Sequence, residues 1–251
     1  MTVRGRRPFV LLAAVALAAP LAACERPDRV PRIDPALVSI GKQVTVRTDA
    51  IGVDPQCQPQ ARRDGDKLVP YVPIECVGKP PDPVRTPRAT FALVHADNGD
   101  DQDALVTLGG VLVDADGQEV GALAPASLRI PAHGRRTFAL LDSARQVRPT
   151  ATEARIDVRE AARAEQPETV RITDGEVSTV AGQIVASGTV ENLTDRPAQA
   201  VIVAGFQDAD GRPLTRPFAL YELPPHGKKA AVFTGPAGTA TGYIFVGQVE
   251  F

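Results

Sequence analysis

Three cysteines carry the most specific chemistry of the chain: Cys24, Cys57 and Cys76. Cys24 directly follows Leu21-Ala22-Ala23, where an apolar N-terminal run ends, a place for covalent modification of a thiol rather than for catalysis. Cys57 and Cys76 are separated by Pro, Gln and charged residues, and no His or further Cys stands at metal-ligand spacing beside them. In an oxidising compartment the expected chemistry is a Cys57–Cys76 disulfide. Closing a loop of that size stabilises by roughly 3 kcal/mol in the chain-entropy account.

Other reactive side chains are arranged with less purpose. Asp-Ala-Asp-Gly occurs at 114–117 and again at 208–211, but a calcium loop needs a Glu six residues after its Gly, and Leu123 and Pro217 stand there. Both are expected to be hairpin turns. Asp97, Asp100, Asp101 and Asp103 are a denser cluster, read as a solvated loop tip. Of the histidines, His95, His133 and His226, the last two occupy matching surface turns. Arg135-Arg136 and Lys228-Lys229 lie at those same turns and are expected to be exposed charges. No G-x-S-x-G, H-E-x-x-H or glycine-rich phosphate loop occurs. No catalytic, cofactor-binding or metal-ligating residue is expected, and the only site residues are Cys24 for lipidation and Cys57 with Cys76 for the disulfide.

The N-terminus explains Cys24. Arg4, Arg6 and Arg7 form a cationic start, and Phe9 to Ala23 carries no charge. That run has signal-peptide length and falls short of the about 20 residues of a membrane helix. Leu21-Ala22-Ala23-Cys24 resembles the lipobox of bacterial lipoproteins at every position. The resemblance implies removal of residues 1–23 and lipid on Cys24, with more than one acyl chain, since one chain holds only marginally. Glu25 rather than Asp follows Cys24, which in the enterobacterial sorting pattern implies the outer membrane. The net charge of −2 becomes more acidic once the three arginines are removed, leaving no nucleic-acid surface to expect.

Residues 24–42 are Pro- and charge-rich and read as a tether. Residues 43–87 read as an irregular, disulfide-stapled extension, with strand character at 43–48 and around Ile74–Val77. Pro55, Pro59, Pro70, Pro73, Pro80, Pro81, Pro83 and Pro87 exclude helix and central strands there. From Arg88 an internal repeat begins. Leu105–Val113 runs into Asp114-Ala115-Asp116-Gly117 as Ala200–Gln207 runs into Asp208-Ala209-Asp210-Gly211. Ile130-Pro131-Ala132-His133-Gly134 answers Leu223-Pro224-Pro225-His226-Gly227, and Phe138 and Phe233 follow. Short Val/Ile/Phe/Ala runs between Gly, Pro and Asp turns are the grammar of all-β sandwiches. The repeats are expected at 88–159 and 169–251, with 160–168 as linker. Glu153–Glu165 has helix-favouring composition, but the repeat makes 155–159 a strand. Gly242–Phe251 is apolar on both faces, which predicts a strand covered on both sides or paired centrally.

The second copy resembles the FxLyD-type immunoglobulin-like repeats of bacterial envelope proteins. The residues that carry this are Gly188-Thr189-Val190-Glu191-Asn192, Pro197-Ala198, Val201-Ile202-Val203, Phe206 to Gly211 and the Pro225-His226-Gly227 turn. His226 lengthens that turn by one residue. In the first copy the acidic run Asn98 to Asp103 stands in place of the Asn-bearing turn. The resemblance implies a fold and a location and transfers no catalytic residue. The expectation is an all-β chain of two tandem immunoglobulin-like sandwiches after a stapled extension. It would be anchored through lipid on Cys24, favouring the outer membrane, and would bind or scaffold an envelope protein partner without catalysis. The alternatives are a hydrolase or carbohydrate-active protein using dispersed carboxylates, and an extracytoplasmic ligand sensor.

Overall fold

A computed structural model describes residues 32–50, 60–64, 67–71 and 88–250 of the chain. Cys24, Cys57 and Cys76, with the lipidation and disulfide expected of them, lie outside the described residues, as does Ile74–Val77. The fold is all-β, built of antiparallel sheets. Strands β1 (Val38–Ala50), β2 (Gln60–Asp64), β3 (Lys67–Tyr71), β4 (Arg88–Asn98), β5 (Ala104–Val113), β6 (Glu119–Ile130), β7 (Arg135–Leu141) and β8 (Glu153–Arg163) form the first part. The second contains β9 (Val170–Val180), β10 (Gln183–Asn192), β11 (Ala198–Gln207), β12 (Pro213–Thr215), β13 (Phe218–Leu223), β14 (Lys228–Thr234) and β15 (Thr241–Glu250).

The two parts share one plan. In the first, sheet β1-β4-β7 faces sheet β6-β5-β8; in the second, β9-β10-β14 corresponds to the former, while β11, flanked by β15 and by β12 and β13, corresponds to the latter. Alternation makes each core, because successive strand residues point to opposite faces. Ala92, Val94 and Ala96 of β4, Val106 and Leu108 of β5, and Phe138 and Leu140 of β7 meet in the first. Ala186 and Val190 of β10, Ile202, Ala204 and Phe206 of β11, and Phe233 of β14 meet in the second.

Several limits differ from those read in the sequence. The tether expected over 24–42 is part of the fold from Arg32 onward: Arg32 bridges Ala162, Ile33 is buried, and Pro35–Leu37 makes a 3-10 turn capped by Asp34. The extension expected from 43 instead begins with β1, which pairs along β4 from Val38↔Asn98 to Ala50↔Arg88. The first repeat therefore takes its first strand from before the Pro-rich segment. That segment contains a separate hairpin, β2 with β3, in which, among the described residues, each strand is an edge and so tolerates Pro70. The expected linker over 160–168 is strand as far as Arg163, because Ala161 and Ala162 are buried. Along β8, Ala154, Ile156 and Val158 pack inward and Arg155, Asp157 and Arg159 point to solvent. A period of two overrides the helix-favouring composition.

β15 explains its two apolar faces. Ile244 and Val246 pack on the second core, whereas Phe245, with Val203 of β11, joins the core of the first part. The second part thus lays the outer face of its β11–β15 pair against the first. Gly205 permits this approach, since a Cβ there would overlap Thr137 Oγ1 and crowd the Tyr243 ring.

Candidate functional site

The seam between the two parts gathers more polar chemistry than any other buried place among the described residues. From the first part come His95 on β4 and its cross-strand neighbour Thr137 on β7. Tyr243 of β15 meets them: its hydroxyl is 2.6 Å from Thr137 Oγ1 and 3.3 Å from His95 Nδ1, and Thr137 Oγ1 is 3.1 Å from that nitrogen. Nε2 of His95 is buried with no hydrogen-bond partner among the described residues. Burial, aided by the charge of Arg135, pulls His95 down to about 4, and burial pushes Tyr243 up to about 12. Both are therefore neutral near pH 7.

Two cations complete the seam. Arg216, between β12 and β13, donates from Nε to the Thr137 carbonyl at 2.8 Å, and its Cζ lies 5.6 Å from the Phe245 ring centroid. The Arg136 Cζ lies 5.1 Å from the same centroid, within cation–π range. Burial lowers Arg216 to about 10 and lowers Arg136 as well, yet both stay charged near neutrality. Among the described residues neither forms an ion pair: Asp97 pairs with Arg135 at 2.6 Å and Asp103 with Arg129 at 2.7 Å, and Glu168 acts on Arg136 only through its charge. Beside Arg216 an open groove of about 320 Å³ runs between the parts, walled by Ser127, Leu128, Phe138, Val203 and Phe218. Two further contacts hold the seam: Thr45 Oγ1 donates to Pro213 O and Arg47 to Leu214 O, each at 2.6 Å.

The residues singled out in the sequence are placed differently. Asn98 is the same turn residue as Asn192, so the acidic run does not replace the Asn-bearing turn. Asn98 Nδ2 donates to the carbonyls of Gln102, Ile130 and Pro131, and its Oδ1 accepts from Asp100 N. Asn192 donates to Arg196 and Pro224 and accepts from Thr194 N. His133 and His226 extend the likeness: each has positive φ, and each Nε2 lies 2.9 or 2.8 Å from an Asp, Asp101 and Asp195 respectively. Asp114 and Asp208 accept from the backbone of Asp116 and Gln118, and of Asp210 and Arg212, which makes both Asp-Ala-Asp-Gly runs turns. Among the described residues no group of three or more His, Cys, Asp or Glu is arranged to hold a metal ion.

Arg136 corrects another expectation, since it is half-buried against Phe245 rather than fully displayed at a turn. His95 sits in the seam and shares no contact with the other two histidines. Arg216, Thr137 and Tyr243 were not anticipated as site residues; the double apolar face of β15 was the available signal.

No family model and no curated protein matches this chain. Among solved structures it is similar to red sea bream transglutaminase, at 16% identity and a TM-score of 0.20, over 57% of this chain and 24% of that one. It is also similar to the N-terminal CBM22-1–CBM22-2 tandem domain of Xyn10C from Paenibacillus barcinonensis, at 9% identity and a TM-score of 0.13, over 85% and 86%. Superpositions so loose carry no argument.

Proposed function

We propose that the chain is a non-enzymatic, lipid-anchored envelope lipoprotein in which two tandem immunoglobulin-like sandwiches act together as a binding or scaffolding module. The lipobox ending in Cys24 supports the anchor, Glu25 favours the outer membrane, and an envelope protein is the expected partner. The observation that carries the module reading is the seam: the outer face of β11 and β15 in the second repeat is spent on joining the first. A protein built to hold a partner needs such a joint.

The carboxylates weigh against the hydrolytic alternative. Asp103, Asp142 and Glu191 are all drawn below the ordinary range by Arg or Lys neighbours. A general acid needs the opposite shift. The test is fractionation combined with affinity capture. Wild-type protein should stay with membranes and recover a specific envelope partner, and Cys24→Ser should leave the membrane fraction. Unchanged lipidation in that variant, or capture with no specific partner from solubilised envelope, would overturn the reading.

A further inference from the structure

Arg216 lines the groove with most of its hydrogen-bonding capacity unused. A guanidinium offers five N–H donors in a planar fork. Within the described residues the only hydrogen bond of this one is from Nε to the Thr137 carbonyl. Taking a cation out of water costs several kcal/mol unless an anion meets it. The Phe245 face offsets part of that, but no acid of the described chain completes it. The groove beside it is open, and its accessible apolar surface comes from exposed Phe218 and half-buried Ala126, Ala139 and Val201, with Phe138 and Val203 buried beneath. Phe218 is 55% exposed there, a large aromatic left at the rim.

We propose that this groove binds a carboxylate on an apolar stem, with the Arg216 fork pairing the carboxylate and the walls taking the stem. Fork geometry suits a planar carboxylate. One lining cation and apolar walls favour a monoanion over a heavily hydrated phosphate. The volume, about 320 Å³, stands at the low end of ligand sites, which run from about 300 Å³. That leaves room for a carboxylate with one or two apolar side chains, as at the C-terminus of a peptide, or for a short branched carboxylic acid. The proposal rests on the binding-module reading but not on the anchor.

The test uses the purified full chain with three probes: acetyl-Leu-Val with a free carboxylate, the same dipeptide as its amide, and isovalerate. Ligand-observed NMR and calorimetry should show saturable binding of the free acid, with the amide at least about tenfold weaker. Binding of isovalerate as well would assign the site to carboxylates in general, and binding of the dipeptide alone would assign it to a peptide terminus. Arg216→Gln should lose the same factor and Arg216→Lys only part of it. Because Arg216 also braces Thr137, Ser127→Glu is the second variant: it places a carboxylate on the exposed wall and should abolish binding. The melting temperature should move little, because the Thr107–Ser127 hydroxyl contact it replaces is exposed. Equal binding of acid and amide, wild-type binding by Ser127→Glu, or no saturable binding of any probe would overturn the site. Such a failure with partner capture intact leaves the module reading standing.

Discussion

Where the first repeat carries Asp157 on β8, opposite Gly109, the second carries Phe245 on β15, opposite Val203. One position earlier on that face, Arg155 opposite Val111 answers Tyr243 opposite Gly205. The backbone places are the same, yet Asp157 is half exposed and pairs with Arg159 at 3.0 Å, while Phe245 is 1% exposed. The first hairpins differ as sharply. In the second repeat β9 turns into β10 through Ala181-Gly182, both at positive φ, as a two-residue turn requires. In the first, residues 51–87 intervene between β1 and β4. The turn asparagines Asn98 and Asn192 and most inward positions keep their chemistry between the two parts, although buried Asp142 is answered by Gly235 at the matching place. Outward faces and one hairpin end were free to change, and the seam was made on such a face.

The largest effect should come from truncating the two equivalent residues. Phe245→Ala removes a buried ring that also faces two guanidiniums, and should cost about 3–5 kcal/mol in urea unfolding. Asp157→Ala should change stability by no more than about 0.5 kcal/mol. Similar losses in both variants would break the comparison, because the two faces would then be equally involved in folding.

A pH series should separate the repeats next. His95 has Thr189 as its counterpart, so only the first repeat buries an imidazole at this position. Its folded value of about 4 lies below the ordinary 6.5. The unfolded chain therefore takes up the proton first. The stability it contributes is complete above about pH 6.5 and is lost as pH falls toward 4, by on the order of 3 kcal/mol. His95→Thr should flatten that slope. Asp142, whose side chain is fully buried on Arg148 at 2.9 Å, is held low and adds a separate loss at more acid pH. Gly235 stands at the matching place in the second repeat, where its N–H bonds Ile184 O as that of Asp142 bonds Thr90 O. A slope between pH 6.5 and 4 that survives His95→Thr would remove the imidazole as its cause.

What was legible in the sequence was local. Asp-Gly and Pro-x-His-Gly turns act within a few residues, so their types and spacing suffice to place them, and Asn192 was readable for the same reason. Asn98 was hidden because Asp97 precedes it and three aspartates follow within a short span, which drew attention to charge rather than to the amide. β1 was separated from its partner by the inserted segment, and no pattern in 43–48 says which strand it joins. The seam was out of reach for a stronger reason: Thr137 and Tyr243 are far apart in sequence, and their pairing depends on how two finished sheets meet. Even so, Tyr243 and Phe245 alternating with Ile244 and Val246 announced that something must cover both faces of β15.

The smallest effect concerns the two turns that stayed most alike. His133 and His226 hold φ of 52° and 53°, a region that strains any residue with a Cβ. Replacing each with Gly relieves that strain but frees the unfolded chain, so the net gain should be about 0.5 kcal/mol. The Asp partners do little to oppose it, since Asp101 and Asp195 are 93% and 97% exposed and such pairs contribute little. Equal small gains for His133→Gly and His226→Gly in thermal unfolding would mark both imidazoles as strained by their turns. A loss in one repeat and a gain in the other would show that the matching geometry conceals unequal energetics. The duplicated turns would then have diverged as the outer faces did.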